Sequence, residues 1–222
     1  MPDTMQAPDF SVARQFMVDG QLRPTKVTDP RVLAAMRTLP RENFVPHAMA
    51  TLAYIDDDLQ LTPTRAMLKP LVLARLVQLA APRSGEAVLV VGAGSGYGAA
   101  VVAICGAQVT ALEEDPTLLE MATSALRGVA GVTLVRGPLA EGWPASAPYD
   151  LGVIEGSVRA VPERIGRQVA QTGRLVAGVA PEAGRSAAVL AEPSIGGLAV
   201  RPMFDAVAPK LPSLWPAPSF SF

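Results

Sequence analysis

The spacing of apolar positions changes period at about residue 87 of the 222-residue chain. Beyond it, aliphatic runs of strand length alternate with stretches that place apolar residues three and four apart. Ala87–Val91 has no polar interruption, as a strand covered on both faces requires, and residues 99–105 read as a helix packed behind it. A second strand over 108–112 ends at Glu113, and Asp115-Pro116 starts a helix through Leu118, Leu119, Met121 and Leu126 that Gly128 ends. Residues 132–135, 149–154 and 174–179 read as three further strands, with a helix over 162–171. Such alternation predicts an α/β fold, a doubly wound and mostly parallel sheet whose ligand lies outside the carboxyl ends of its strands. Residues 186–190 and 198–204, separated by Pro193-Ser-Ile-Gly-Gly197, predict an antiparallel hairpin at the sheet edge.

Before residue 87 the pattern is helical and interrupted. Val12, Phe16, Met17 and Leu22 recur at helical intervals over 10–22, and Thr28-Asp29-Pro30 is a cap-and-proline start for a second helix. Pro40 to Pro46 breaks the period, a loop follows through Tyr54-Ile-Asp-Asp-Asp58, and Pro70 opens a helix whose apolar positions run from Leu71 to Leu79. We read residues 1–80 as an N-terminal helical extension covering the substrate side of the same domain, 81–208 as the α/β core, and 209–222, with four prolines, as an extended or poorly ordered tail.

The chemistry concentrates where the first strand ends. Gly92, Gly94, Gly96 and Gly98 alternate there; the first three allow positive φ and close approach of a ligand to the backbone, and the next helix offers unpaired N–H groups. Glu113, twenty-one residues beyond Gly92, stands where a carboxylate can accept hydrogen bonds from both ribose hydroxyls. A pyrophosphate loop places glycine first, third and sixth, but the sixth residue here is Tyr97. Gly-x-Gly-x-Gly is the pattern of S-adenosylmethionine-dependent methyltransferases, so S-adenosyl-L-methionine is the expected cofactor, held by Gly92, Ala93, Gly94, Ser95, Gly96 and Glu113.

Composition narrows the partners. Nineteen basic residues against 20 acidic, with no basic run, argue against nucleic acid. The single cysteine, Cys105, excludes an intrachain disulfide and fits a cytoplasmic setting, and residues 1–20 lack the apolar block of a signal peptide. Residues 87–112 carry no charge over a bilayer-spanning length, but their alternating glycines favour a buried sheet, and no membrane partner is expected. No metal is expected either; Asp56-Asp57-Asp58 reads as a solvated loop in preference to a cation site. His47, the one histidine, reads as a surface or packing residue, and Trp143 and Tyr149 as core or rim. Glu155, after the fourth strand, falls at a carboxyl end near the expected transfer site and reads equally as an ordinary loop acid. Arg65 and Lys69, just before Pro70, read equally as a pair for an anionic substrate placed over the cofactor and as ordinary surface charges.

Taken together, Val88-Leu-Val-Val-Gly-Ala-Gly-Ser-Gly-Tyr97 and Ala111-Leu-Glu113 resemble the protein-L-isoaspartate O-methyltransferase family. So do Met17-Val-x-x-Gln21-Leu22, Asp29-x-Arg31-Val-Leu-x-Ala-Met36, Pro40-Arg41-Glu42-x-Phe44-Val45-Pro46 and Ala53-Tyr54-x-Asp56, over about residues 14–180. The resemblance implies a Rossmann-like methyltransferase fold and O-methylation of an isoaspartyl protein or peptide carboxylate, a protein-repair activity. Three departures stand out. The family's Ser-Gln-Pro, whose serine is usually counted catalytic, is Leu68-Lys69-Pro70; the acid two positions before the first glycine is Val90; and Gly-Asp-Gly after the third strand is Gly137-Pro138-Leu139. The expected catalytic set is therefore empty, and two alternatives stand beside repair: methylation of a different acceptor, such as a small molecule, and a cofactor-binding but silent protein. The sequence leaves oligomeric state open.

Overall fold

The structure, a computed structural model, describes residues 9–181 and 184–215. Helix α1 (Phe10–Phe16) is capped by the Asp9 carboxylate, which accepts the Ser11 N–H at 3.0 Å, and continues through a wider turn at Met17–Leu22. Helix α2 (Pro30–Thr38) starts where Asp29-Pro30 predicts, with Asp29 Oδ1 accepting the Arg31 N–H at 2.9 Å. The expected loop after Tyr54 instead contains an antiparallel hairpin, β1 (Leu59–Thr62) and β2 (Arg65–Met67). Its strands are four and three residues long, so the alternation of Leu59-Gln60-Leu61-Thr62 is too brief to set them apart from a loop. Helix α3 (Pro70–Ala80) follows.

The core comprises β3 (Ala87–Val91), α4 (Tyr97–Ile104), β4 (Gln108–Glu113), α5 (Pro116–Ala125), β5 (Val132–Arg136), β6 (Tyr149–Val158), α6 (Glu163–Gly166), β7 (Val169–Val179), β8 (Ala187–Ser194) and β9 (Gly197–Asp205). These strands form one seven-stranded sheet in the order β5-β4-β3-β6-β7-β8-β9. The first five in that order run parallel, and β8 and β9 complete the sheet as the antiparallel edge hairpin. Val88 to Val91 are at most 1% exposed, which accounts for the unbroken aliphatic run. Uncharged residues 87–112 form strand, helix and strand, and among the described residues no helix is long and apolar enough to cross a membrane.

Two expectations need correction. The helix read over 162–171 is only α6, because Gln168 takes backbone partners of its own: its Oε1 accepts the Trp143 N–H at 2.8 Å and its Nε2 donates to Glu141 O at 2.7 Å. Val169 then joins the sheet opposite Tyr149, so strand pairing overrides the local period. The tail is not loose where it is described: Leu211 is 2% exposed and packs under the end of the sheet, while residues 216–222 lie outside the described residues.

Candidate functional site

The chain leaves β3 for β4 and β5 on one side, then returns to place β6 on the other. The carboxyl ends of β3 and β6 therefore bracket the switch point where open α/β sheets bind ligands. Gly92, Gly94 and Gly96 take φ of +75°, +58° and +91°, as the turn from β3 into α4 requires. The N–H groups of Gly92 and Ala93 donate to Leu112 O at 3.0 and 3.1 Å, which fixes the loop against the end of β4.

Glu113, fully buried at that end, is the electrostatic centre. Its Oε2 accepts the Gly94 N–H at 2.8 Å, and its Oε1 accepts the N–H groups of Glu114 and Asp115 at 2.9 and 3.0 Å. Arg65 from β2 closes on it with both nitrogens, Nη1 to Oε1 at 2.8 Å and Nη2 to Oε2 at 2.9 Å, and Nη2 also donates to Gly92 O at 3.1 Å. Arg65, expected as an acceptor contact or surface charge, is thus 5% exposed and lies in the glycine-loop crevice. Its position could not be read because the hairpin that delivers it was not legible. Lys69 lies at the start of α3, its N–H donating to Asp58 Oδ1 at 2.8 Å, while Asp56 Oδ1 accepts the Leu71 N–H at 3.2 Å. Two members of the acidic triplet therefore cap α3. Among the described residues no group of three or more His, Cys, Asp and Glu could hold a metal ion. His47 is exposed.

Glu155 sits where β6 bulges, between Ile154 paired with Ala177 and Ser157 paired with Gly178. The bulge turns its carboxyl toward α4, against Gly98, where an added Cβ would come within 2.0 Å of Oε1. Gly98 is needed for this approach, not for its backbone angle. Glu155 is only partly buried as a residue, yet its Oε1 is sealed from solvent with no hydrogen-bond partner. Burial pushes the carboxyl up to about 8, against the pull of the nearby Arg65 charge.

The motif residues of the extension form one connected network. Arg41, fully buried, donates from Nε to Ala53 O and from Nη2 to Leu68 O, both at 2.7 Å, and its guanidinium lies 4.7 Å from the Tyr97 ring centroid. Burial pulls the Arg41 pKa below its ordinary range. Arg14 joins the Tyr54 hydroxyl and Glu42, each at 3.0 Å, Tyr54 also bonds Glu42, and the Gln21 amide donates to Tyr54 O at 2.9 Å. The motifs therefore tie the extension to the core at Tyr97 and hold Leu68 by its carbonyl. Leu68 itself is 3% exposed and belongs to the core. At the third departure, Leu139 is buried and its N–H donates to Glu114 Oε2 at 3.2 Å.

These groups fit an adenosyl donor: a glycine turn of the required angles, a helix start, a carboxylate at the end of the second parallel strand, and a buried Ser95 hydroxyl without a partner.

Comparison with known proteins agrees. The model of the protein-L-isoaspartate(D-aspartate) O-methyltransferase family matches residues 14–197. A protein-L-isoaspartate O-methyltransferase of Rhodopseudomonas palustris is 38% identical over 177 residues, covering 79% of this chain and 72% of that protein. One of Methylorubrum extorquens is 39% identical over 180 residues, covering 81% and 79%. Among solved structures, a protein-L-isoaspartate O-methyltransferase superposes with TM-score 0.76 at 24% identity, over 88% of this chain and 64% of that one. A β-aspartate methyltransferase of Plasmodium falciparum, in complex with S-adenosyl-L-homocysteine, superposes with TM-score 0.74 at 17% identity, over 89% and 98%. The chain belongs to the protein-L-isoaspartate O-methyltransferase family and is an S-adenosylmethionine-dependent protein carboxyl methyltransferase.

Proposed function

We propose that Gly92, Ala93, Gly94, Ser95, Gly96 and Glu113 hold S-adenosylmethionine while the chain presents an isoaspartyl carboxylate of a damaged protein to it, in the cytoplasm. The observation that carries this reading is the bond from Gly94 N–H to Glu113 Oε2 at 2.8 Å, which joins the glycine loop to the carboxylate suited to a ribose. Bound there, the donor supplies an electrophilic methyl group on a sulfonium. A carboxylate acceptor, with a pKa near 4, is ionised at neutral pH, so the protein need not take up a proton from it. The work left to the chain is orientation and exclusion of water, for which the bound-down extension is suited. Lys69, partly buried at the start of α3, is the cation placed to attract the acceptor's charge.

Leu68 offers no hydrogen-bonding side chain where the family's serine stands. Labelled methyl transfer is expected to an isoaspartyl peptide but not to its aspartyl counterpart, and slowly. Leu68→Ser, with Lys69 kept, is expected to raise kcat/KM about tenfold, one restored hydrogen bond in the transition state, and Lys69→Gln alone is expected to lower it. Loss of the buried leucine should cost about 2–4 kcal/mol of stability. A wild type that methylates both peptides alike would overturn the acceptor assignment, and a folded Leu68→Ser that lowers kcat/KM would overturn the role given to Leu68.

A further inference from the structure

We propose that Arg65 and Leu211 form an intramolecular latch that occupies the donor crevice, and that S-adenosylmethionine enters only as Arg65 leaves Glu113 and the 209–215 segment leaves the ends of β3 and β6. This rests on the assignment of the donor to the glycine loop. A carboxylate has about four lone-pair positions. Glu113 already accepts three backbone N–H groups and two guanidinium nitrogens. The backbone bonds are set by the fold, so ribose hydroxyls can reach Glu113 only by taking the place of Arg65.

Leu211 closes the same space at Gly92. A Cβ built on Gly92 would lie 3.0 Å from Leu211 Cδ2 and 3.4 Å from Arg65 Nη2, and one on Gly156 would lie 2.6 Å from Leu211 Cγ. The two side chains therefore cover the face of Gly92 that a ligand approaching this backbone would need. The tail is held mainly at one residue of the β6 bulge: Ser157 N–H donates to Pro209 O at 2.7 Å, and Ser157 O accepts from Leu211 N–H at 3.1 Å and Trp215 Nε1 at 2.7 Å. Arg65 is carried by a hairpin of two short strands. Both occupants thus sit on small attachments that can move while the sheet stays fixed.

The test is calorimetric titration of S-adenosylhomocysteine into wild type, Arg65→Ala and Leu211→Ala, with amide hydrogen exchange of the wild type at saturation. Removing either occupant raises the binding-competent fraction, so each variant is expected to bind about tenfold tighter or more. In the wild type, saturation is expected to deprotect the Leu211 and Ser157 amides. Should Arg65→Ala misfold, Leu211→Ala and the wild-type exchange decide the matter. Equal or weaker binding by the folded variants, retained protection in the saturated wild type, or binding by none of the three would overturn the latch. Tight binding without methyl transfer would count against the acceptor assignment and leave the latch supported.

Discussion

Replacing Arg41 by alanine is expected to destabilise the protein by about 3–5 kcal/mol, a large effect for one side chain. Its side chain is fully buried and bridges Ala53 O and Leu68 O. Truncation strands two buried carbonyls, each costing about 1–3 kcal/mol, and opens a cavity beneath Tyr97. Arg41→Lys cannot reach both carbonyls with a planar fork and should recover only part of the loss. Chemical denaturation of the three proteins at one pH checks this. A loss under 1 kcal/mol for Arg41→Ala would show that the extension does not depend on this residue for its attachment. Because Arg41 holds the carbonyl of Leu68, the variant should also bind peptide acceptors less well.

The second large effect is a pH dependence. Glu155, with a carboxyl pushed up to about 8 from an ordinary 4.5, binds a proton in the folded protein across a range where the unfolded chain has released it. Its contribution is therefore most favourable below pH 4.5 and is lost as pH rises toward about 8, with a slope near 1.4 kcal/mol per pH unit and a total of roughly 3–5 kcal/mol. Glu155→Gln removes the titration. The stability difference, variant minus wild type, is expected to climb across that window and level off above it. Groups held the other way, such as Glu86 beside Arg174 and Asp29 beside Arg31, act at lower pH and cancel in the difference. A difference that does not change with pH would mean that Glu155 is ionised in the folded protein.

How much was legible in the sequence follows from where the interactions lie. Strands β3 and β4, the glycine turn and Glu113 are encoded locally, by an aliphatic run, three residues of positive φ and a fixed spacing, and each falls where it was read. The cap at Asp29 and the edge hairpin are similarly local. Arg65 and Leu211 were not legible as neighbours of Gly92, since one arrives on a hairpin whose strands are too short to stand out and the other from a proline-rich tail more than a hundred residues away. Gln168 ended a helix by bonding to residues far from it in sequence. Glu155 was read just past a strand ending at residue 154, but β6 runs on to Val158 and Glu155 lies within it. The bulge there that seals its carboxyl against Gly98 depends on pairing between β6 and β7, which no local pattern announces.

The most direct test of the donor site is the affinity of S-adenosylhomocysteine for Arg65→Ala and for Arg65→Ala with Glu113→Ala, measured by calorimetry on folded proteins, so that release of Arg65 is common to both. Loss of charged hydrogen bonds to the ribose is expected to weaken binding by about 1.5–3 kcal/mol, roughly ten- to a hundredfold. Equal affinity in the two proteins would remove Glu113 from the site and contradict the placement of the donor at the glycine loop.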